Sequence, residues 1–154
     1  MLPNFVIIGA QKAGTTSLYH YLQSHPDVHM PRNKEPDFFV AERNWDRGLH
    51  WYERQFAQAG DAVAVGEAST TYTMHPHYPG VPARIVSTLP GVKLVYLLRD
   101  PVERARSDYV HYRYPPASDS RKFFAREHLP IERALLENPL YLDTSRFAMQ
   151  IDQY

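Results

Sequence analysis

Two clusters of polar residues in this chain have types and spacings that could do chemistry. The first, Gly9-Ala10-Gln11-Lys12-Ala13-Gly14-Thr15-Thr16, lies between the β-branched run Phe5-Val6-Ile7-Ile8 and an amphipathic stretch. Strand, glycine-bounded loop and helix in that order aim backbone N–H groups and the positive end of a helix dipole at one point, which suits an anion. A Walker A loop would carry Lys straight after the second glycine and a hydroxyl next to it. Here Thr15 takes the lysine's place, and Lys12 sits inside the loop. The loop is therefore expected to cradle a phosphate whose cation arrives from another direction, which disfavours a nucleoside triphosphate with magnesium. The plain alternative is a tight strand-to-helix turn with no ligand. The second cluster is Leu97-Leu98-Arg99-Asp100-Pro101 with Ser107 eight residues after Arg99. Ligands of open parallel sheets bind at the carboxyl ends of strands, and an Arg fork matches phosphate bidentately. Arg99 and Ser107 could thus face one anion beside the first loop. Equally, Arg99 could pair with Asp100 or Glu103 as helix-end electrostatics.

The elements that must position these clusters follow from periodicity and punctuation. Residues 5–8 and 62–65 read as strands buried on both faces, 28–30 as a short strand, and 93–98 as the most strongly patterned strand. The strand at 62–65 is expected to end at Gly66-Glu67-Ala68-Ser69. Residues 15–24 form a helix with Leu18, Tyr21 and Leu22 on one face, stopped by His25-Pro26. The stretch 31–46 reads as a loop or lid. Residues 49–58 and 83–89 read as helices, and Asp100-Pro101 as the start of another that runs to about Tyr114 and stops at Pro115-Pro116. Two more helices are expected over 131–137 and 145–154. Strands alternating with helices predict an α/β sandwich with a parallel sheet.

Composition narrows the function classes. The 154 residues fit about one domain, and 44% hydrophobic with 22% charged residues is ordinary for a globular protein, which excludes wholesale disorder, collagen and a coiled-coil rod. Seventeen Lys and Arg balance seventeen Asp and Glu, so any anion site must be local, and a nucleic-acid footprint is not expected. The absence of cysteine excludes disulfides, thiolate metal sites and a thiol nucleophile. No apolar run approaches the ~20 residues of a membrane helix, and the start carries no signal-peptide pattern, so a cytoplasmic location is expected.

Taken in order, the motifs resemble the sulfotransferase family, in particular its heparan-sulfate-sulfotransferase-like branch. Residues 5–18 resemble its loop for the 5′-phosphosulfate end of the donor. His25-Pro26-Asp27-Val28 and Lys34-Glu35-Pro36-Asp37-Phe38-Phe39 resemble its next segment. Gly66-Glu67, residues 98–104 and Ser107-Asp108-Tyr109 resemble its later motifs. The resemblance covers nearly all of residues 4–114. It implies a three-layer sandwich around a central parallel sheet, of the P-loop NTPase-like kind. It also implies 3′-phosphoadenosine 5′-phosphosulfate as co-substrate, without a metal, and a hydroxyl or amine of a carbohydrate, lipid or small metabolite as acceptor. Carried over by position, Gln11, Lys12, Ala13, Gly14, Thr15, Thr16 and Ser17 hold the 5′-phosphosulfate, with Lys12 on the bridging and sulfuryl oxygens. Arg99 and Ser107 hold the 3′-phosphate.

Glu35 matches the catalytic base, a role that burial among Pro36, Phe38 and Phe39 would favour by raising its pKa. Asp37 is its nearest competitor, followed by His20, His25 and His29. One departure stands out: heparan-acting relatives carry a lysine just after the glutamate matching Glu67, where this chain has Ala68. That loss and the neutral net charge point away from a polysulfated acceptor, with Trp45, Trp51, Tyr52, Tyr72 and Tyr78 as candidate lining for a less charged one. The rival readings are a P-loop nucleotide or metabolite kinase and an inactive nucleotide-binding fragment. Relatives continue past the match to 145–154 into another strand and a basic loop. Residues 1–154 are therefore expected to be a C-terminally truncated sulfotransferase domain with weakened donor affinity, doubtful activity and an exposed apolar sheet edge.

Overall fold

The structure, a computed structural model, describes residues 1–115 and 127–154. In chain order its elements are β1 (Phe5–Gly9), α1 (Thr15–Gln23), β2 (Val28–His29), α2 (Gly48–Arg54), β3 (Ala64–Ala68), α3 (Val81–Thr88) and β4 (Lys93–Tyr96). α4 (Pro101–Arg113), α5 (Ile131–Glu137), α6 (Leu140–Asp143) and α7 (Phe147–Ile151) follow, and short 3-10 turns cover Trp45–Arg47 and Thr70–Thr73. The strands form one parallel sheet in the order β2-β3-β1-β4.

β1 lies between two neighbours, which explains its uninterrupted apolar run: both of its faces need cover. Val6 and Ile8 face a layer that includes Tyr52 and Phe56 from the α2 region and Val81 and Ile85 of α3. Ile7 faces the opposite way, onto Tyr19 of α1 and Met30. Helices on both faces of a parallel sheet make the three-layer sandwich expected from the sequence. A third apolar cluster, built on Met74, Tyr112, Ala134, Leu140 and Tyr141, joins α4 to α5 and α6.

Several boundaries differ from the sequence expectation. β3 continues through Gly66 and Glu67 instead of ending before them. Gly66 is admissible there because the Phe5 ring lies against it: an added Cβ would fall 2.1 Å from Phe5 Cζ. Glu67 is admissible because hydroxyls answer its carboxylate, as described below. α3 starts at Val81, two residues early, since Pro82 in the first turn gives up no helical hydrogen bond. α2 stops at Arg54 instead of 58, and the helix expected over 145–154 is shortened to α7, with the separate α6 before it. Between the two, the Ser145 hydroxyl accepts from Arg104 Nε at 2.6 Å and reaches the Pro101 carbonyl at 3.1 Å. The most apolar strand, expected over 93–98, is shortened to four residues and pairs only with β1 among the described residues. Leu94 in β4 and Leu98 just after it are exposed. The predicted helix stop reaches Pro116, which lies outside the described residues.

Candidate active site

The loop after β1 carries two kinds of conformational constraint. Gly14, the residue before α1, has φ 95°, in the left-handed region that glycine enters without a Cβ penalty. Nothing stands within 4 Å of where a Gly14 Cβ would project. Lys12 adopts φ 65° although it has a side chain, and such residues concentrate where function over-determines the backbone. No acidic residue occupies the first turn of α1, and no described side chain caps it. The amide end of a nine-residue helix thus faces open space beside a lysine, which suits an anionic ligand.

β4 and α4 hold this loop from one side. Arg99 Nη1 donates to the Lys12 carbonyl at 3.1 Å, and the Gln11 amide donates to the Tyr112 hydroxyl at 3.1 Å. Arg104, fully buried, pairs with Asp108 at 3.0 Å and donates to the Tyr141 carbonyl at 2.5 Å and more loosely to the Gln11 carbonyl at 3.4 Å. Of the two ion partners the sequence offered for Arg99, Glu103 is the one near it. Arg99 reaches the loop, and its other nitrogen lies 3.8 Å from Glu103, where exposure of both side chains makes the pair weak. Asp100 is not its partner. Its carboxylate accepts from the amides of Val102 and Glu103 at 3.0 and 2.9 Å and caps α4.

On the other side of β1 lies the end of β3. The Glu35 amide donates to the Ala68 carbonyl at 2.9 Å, and Glu35 itself has φ 64°. Its carboxylate accepts from Lys34 Nζ at 2.5 Å and from Thr70 Oγ1 at 3.1 Å. Beneath this segment, Glu67 is completely buried. It accepts from the hydroxyls of Tyr52, Tyr72 and Ser69 at 2.8–2.9 Å. Burial, only partly offset by those donors, pushes its carboxyl up to about 7. Ser69 and Tyr72 in turn receive the amides of Asp37 and Phe39, so the network anchors the turn after Glu35.

These pieces enclose one cleft of about 390 Å³ at the carboxyl edge of the sheet. Across it, in sheet order, come Lys34, Glu35 and Thr70 over β3, then Gln11, Lys12, Gly14, Thr15 and Thr16 over β1, then Arg99 and Ser107 over β4. Of the ten residues assigned from the sequence to donor binding or to the base, Ala13 and Ser17 fall outside this lining. Lys34, Thr70 and His111 join it without having been nominated for it. His111 carried a faint signal, being four residues after Ser107 on the same helical face; Thr70 carried none.

The competing bases lie elsewhere. Asp37 is buried against Arg43 and Thr71, and burial raises its carboxyl against the opposing pull of the Arg43 guanidinium. His25 accepts from the Asp27 amide at 3.2 Å just beyond α1, and neither His20 nor His29 lines the cleft. The aromatic set is also placed otherwise. Tyr52 and Tyr72 are core residues bonded to Glu67, Tyr78 meets Arg43, and Trp51 lies under Arg47. Trp45 packs on Phe38. None of the five lines the cleft.

Comparison with known proteins agrees with this geometry. The family profile described as "Sulfotransferase domain" matches residues 2–135. The membrane-associated sulfotransferase kil1 of Dictyostelium discoideum is 40% identical over 111 residues, which is 70% of this chain and 22% of that protein. Human heparan sulfate glucosamine 3-O-sulfotransferase 3B1 is 39% identical over 108 residues, again 70% of this chain and 26% of the relative. The chain therefore spans about a quarter of the length of these curated relatives. A crystal structure of a sulfotransferase from Alicyclobacillus acidocaldarius superposes with a TM-score of 0.81 at 32% identity, covering 100% of this chain and 68% of that one. No helix among the described residues is long and apolar enough to cross a membrane. With a glycine-bounded loop between β1 and α1, Arg99 one strand away and most of its length inside the matched profile, this chain belongs to the sulfotransferase domain family.

Proposed function

We propose that this chain binds 3′-phosphoadenosine 5′-phosphosulfate and carries the machinery to transfer its sulfuryl group to a hydroxyl or amine of a carbohydrate, lipid or small metabolite. The observation that carries this reading is the single cleft joining an uncapped helix amide end with Lys12, a separate Arg99–Ser107 pair, and Glu35 opposite them. Two anion sites one strand apart suit a ligand with two separated anionic ends, as the family's donor has. The open space over Gly14 fits its 5′ end.

In this mechanism Gly14, Thr15 and Thr16 hold the 5′-phosphate through helix amides and hydroxyls, while Arg99 and Ser107 fix the 3′-phosphate. Glu35 removes the acceptor's proton as the acceptor oxygen or nitrogen forms its bond to sulfur. The bond from sulfur to the bridging oxygen breaks, its electron pair stays on that oxygen, and 3′,5′-adenosine bisphosphate leaves. Lys12 answers the negative charge that develops there, a task in which a preorganised cation outperforms water. Positioning supplies most of the rest.

Calorimetry with 3′,5′-adenosine bisphosphate tests the reading. The wild type should bind it, Arg99→Ala should weaken it by about tenfold to a hundredfold, and ATP with magnesium should not displace it. Absence of binding to the wild type, or displacement by ATP with magnesium, rejects the reading in favour of the kinase or inactive alternatives.

A further inference from the structure

The Lys34–Glu35 pair differs from the surface ion pairs of this protein. The two side chains are only 17% and 12% exposed, against 42% and 51% for Arg99 and Glu103 and 65% and 47% for Arg133 and Glu137. Lysine ordinarily extends its ammonium into water. Here it is turned in over β3, onto the reacting side of the cleft and two strands away from Arg99. The positive φ of Glu35 and the bond from its amide to the Ala68 carbonyl fix the peptide from which both side chains leave. This placement is a property of the fold.

A base beside an anionic electrophile raises an electrostatic problem. Glu35 must approach the acceptor atom from one side while the sulfuryl oxygens approach it from the other, so two negative groups share a small, partly desolvated space. Like charges at such separations repel strongly once water is excluded. Lys34 is the cationic side chain placed against this carboxylate at 2.5 Å, on Glu35 Oε1. An ammonium has three donor protons, and only one is engaged in that bond.

From this geometry we infer that Lys34 is a donor-binding residue for the sulfuryl end. It bridges the Glu35 carboxylate and the sulfuryl oxygens and so lets base and electrophile occupy the cleft together. Lys12 serves the leaving side over β1, Lys34 the transferring side over β3. The inference rests on the reading of the cleft as a site for 3′-phosphoadenosine 5′-phosphosulfate, and it separates that ligand from its desulfated product. The lysine's contribution should appear with the sulfuryl group and vanish without it.

The experiment is isothermal calorimetry on the full chain with two ligands, the phosphosulfate and 3′,5′-adenosine bisphosphate, for the wild type, Lys34→Met, Lys34→Arg, Glu35→Gln and the double variant Lys34→Met/Glu35→Gln. Circular dichroism melts check that each variant is folded. The expected result is a loss of about tenfold or more in phosphosulfate affinity for Lys34→Met, with bisphosphate affinity changed by no more than about twofold. Lys34→Arg should keep the preference. The double variant should regain much of the loss, because removing the carboxylate removes the repulsion, a non-additivity that marks direct coupling. Equal loss for both ligands, or no loss for either, overturns the inference while leaving the functional reading standing. Failure of the wild type to bind either ligand overturns the functional reading itself. Should Lys34→Met fail to fold, Lys34→Arg against Glu35→Gln decides: with Lys34→Arg folded, equal affinities for the two ligands in that variant count against the bridge.

Discussion

Helices α1 and α4 begin at the same edge of the sheet, on the adjacent strands β1 and β4, and each presents the amide end of a helix dipole. α4 answers it internally: Asp100 accepts from two of its first amides. α1 answers it with nothing of its own, since glycine precedes it, no described side chain caps it and its first turn holds no acid. Equal electrostatics thus meet a side-chain cap at one helix and none at the other. The difference lies in one residue type before each helix, Asp100 against Gly14. A closed helix end contributes stability, whereas an open one sets stability aside for binding.

The largest effect should come from removing the charge that works with the open end. Lys12→Ala should lower turnover of the phosphosulfate by about a hundredfold to a thousandfold, with a far smaller effect on the melting temperature. Radiolabelled sulfate transfer beside a thermal melt measures both. Retention of full turnover would place the cation elsewhere in the cleft and break the contrast.

Next in size is the end of β3, where a carboxylate meets hydroxyls and no helix amides. Glu67 is lifted from its ordinary 4.5 to about 7 in the folded protein, so between those values the native state holds a proton that the unfolded chain has released. Its contribution to stability is therefore full below about pH 4.5 and is lost as pH rises through about 7, on the order of 3 kcal/mol in all. Denaturant unfolding at pH 5 and pH 8 should show the wild type weaker at the higher pH. Glu67→Gln should flatten that slope, and an unchanged slope would remove Glu67 as its source.

A smaller effect should follow from making α1 resemble α4. Thr16→Glu puts an acid in the first turn of α1, which should stabilise the fold by about 0.3–1 kcal/mol while cutting affinity for 3′,5′-adenosine bisphosphate at least about tenfold. If binding survives, the anion does not sit at the helix end. The smallest effect should come from the reverse change: Asp100→Ala should cost about 1 kcal/mol of stability, read from a urea midpoint, with bisphosphate affinity scarcely altered.

Much of this arrangement was legible in the sequence because it is local. The β-branched run before Gly9, the glycines bounding the loop and the Asp100-Pro101 start each act through bonds within a few residues, and each appears where expected. Misplaced boundaries came from partners distant in sequence. β3 runs through Gly66 only because Phe5 fills the space above it, and through Glu67 only because Tyr52 and Tyr72 reach it. Of the aromatic residues nominated for the acceptor, Tyr52 and Tyr72 were drawn inward by the same core. From the sequence Glu35 ranks above Asp37, and the structure seats Asp37 against Arg43 and Thr71 while Glu35 lines the cleft.

By itself the sequence determined the alternation of strands and helices, the glycine-bounded loop before α1 and the Asp100 start of α4, since short-range sterics, dipoles and spacing dictate them. Tertiary structure alone decided that Lys34 and Thr70 line the cleft beside Glu35 and that loop, that Arg104 braces the loop from α4, and that Glu67 lies beneath. Strand order carries that information, because placing β1 between β3 and β4 makes neighbours of residues tens of positions apart, and no local rule specifies which strands will be adjacent.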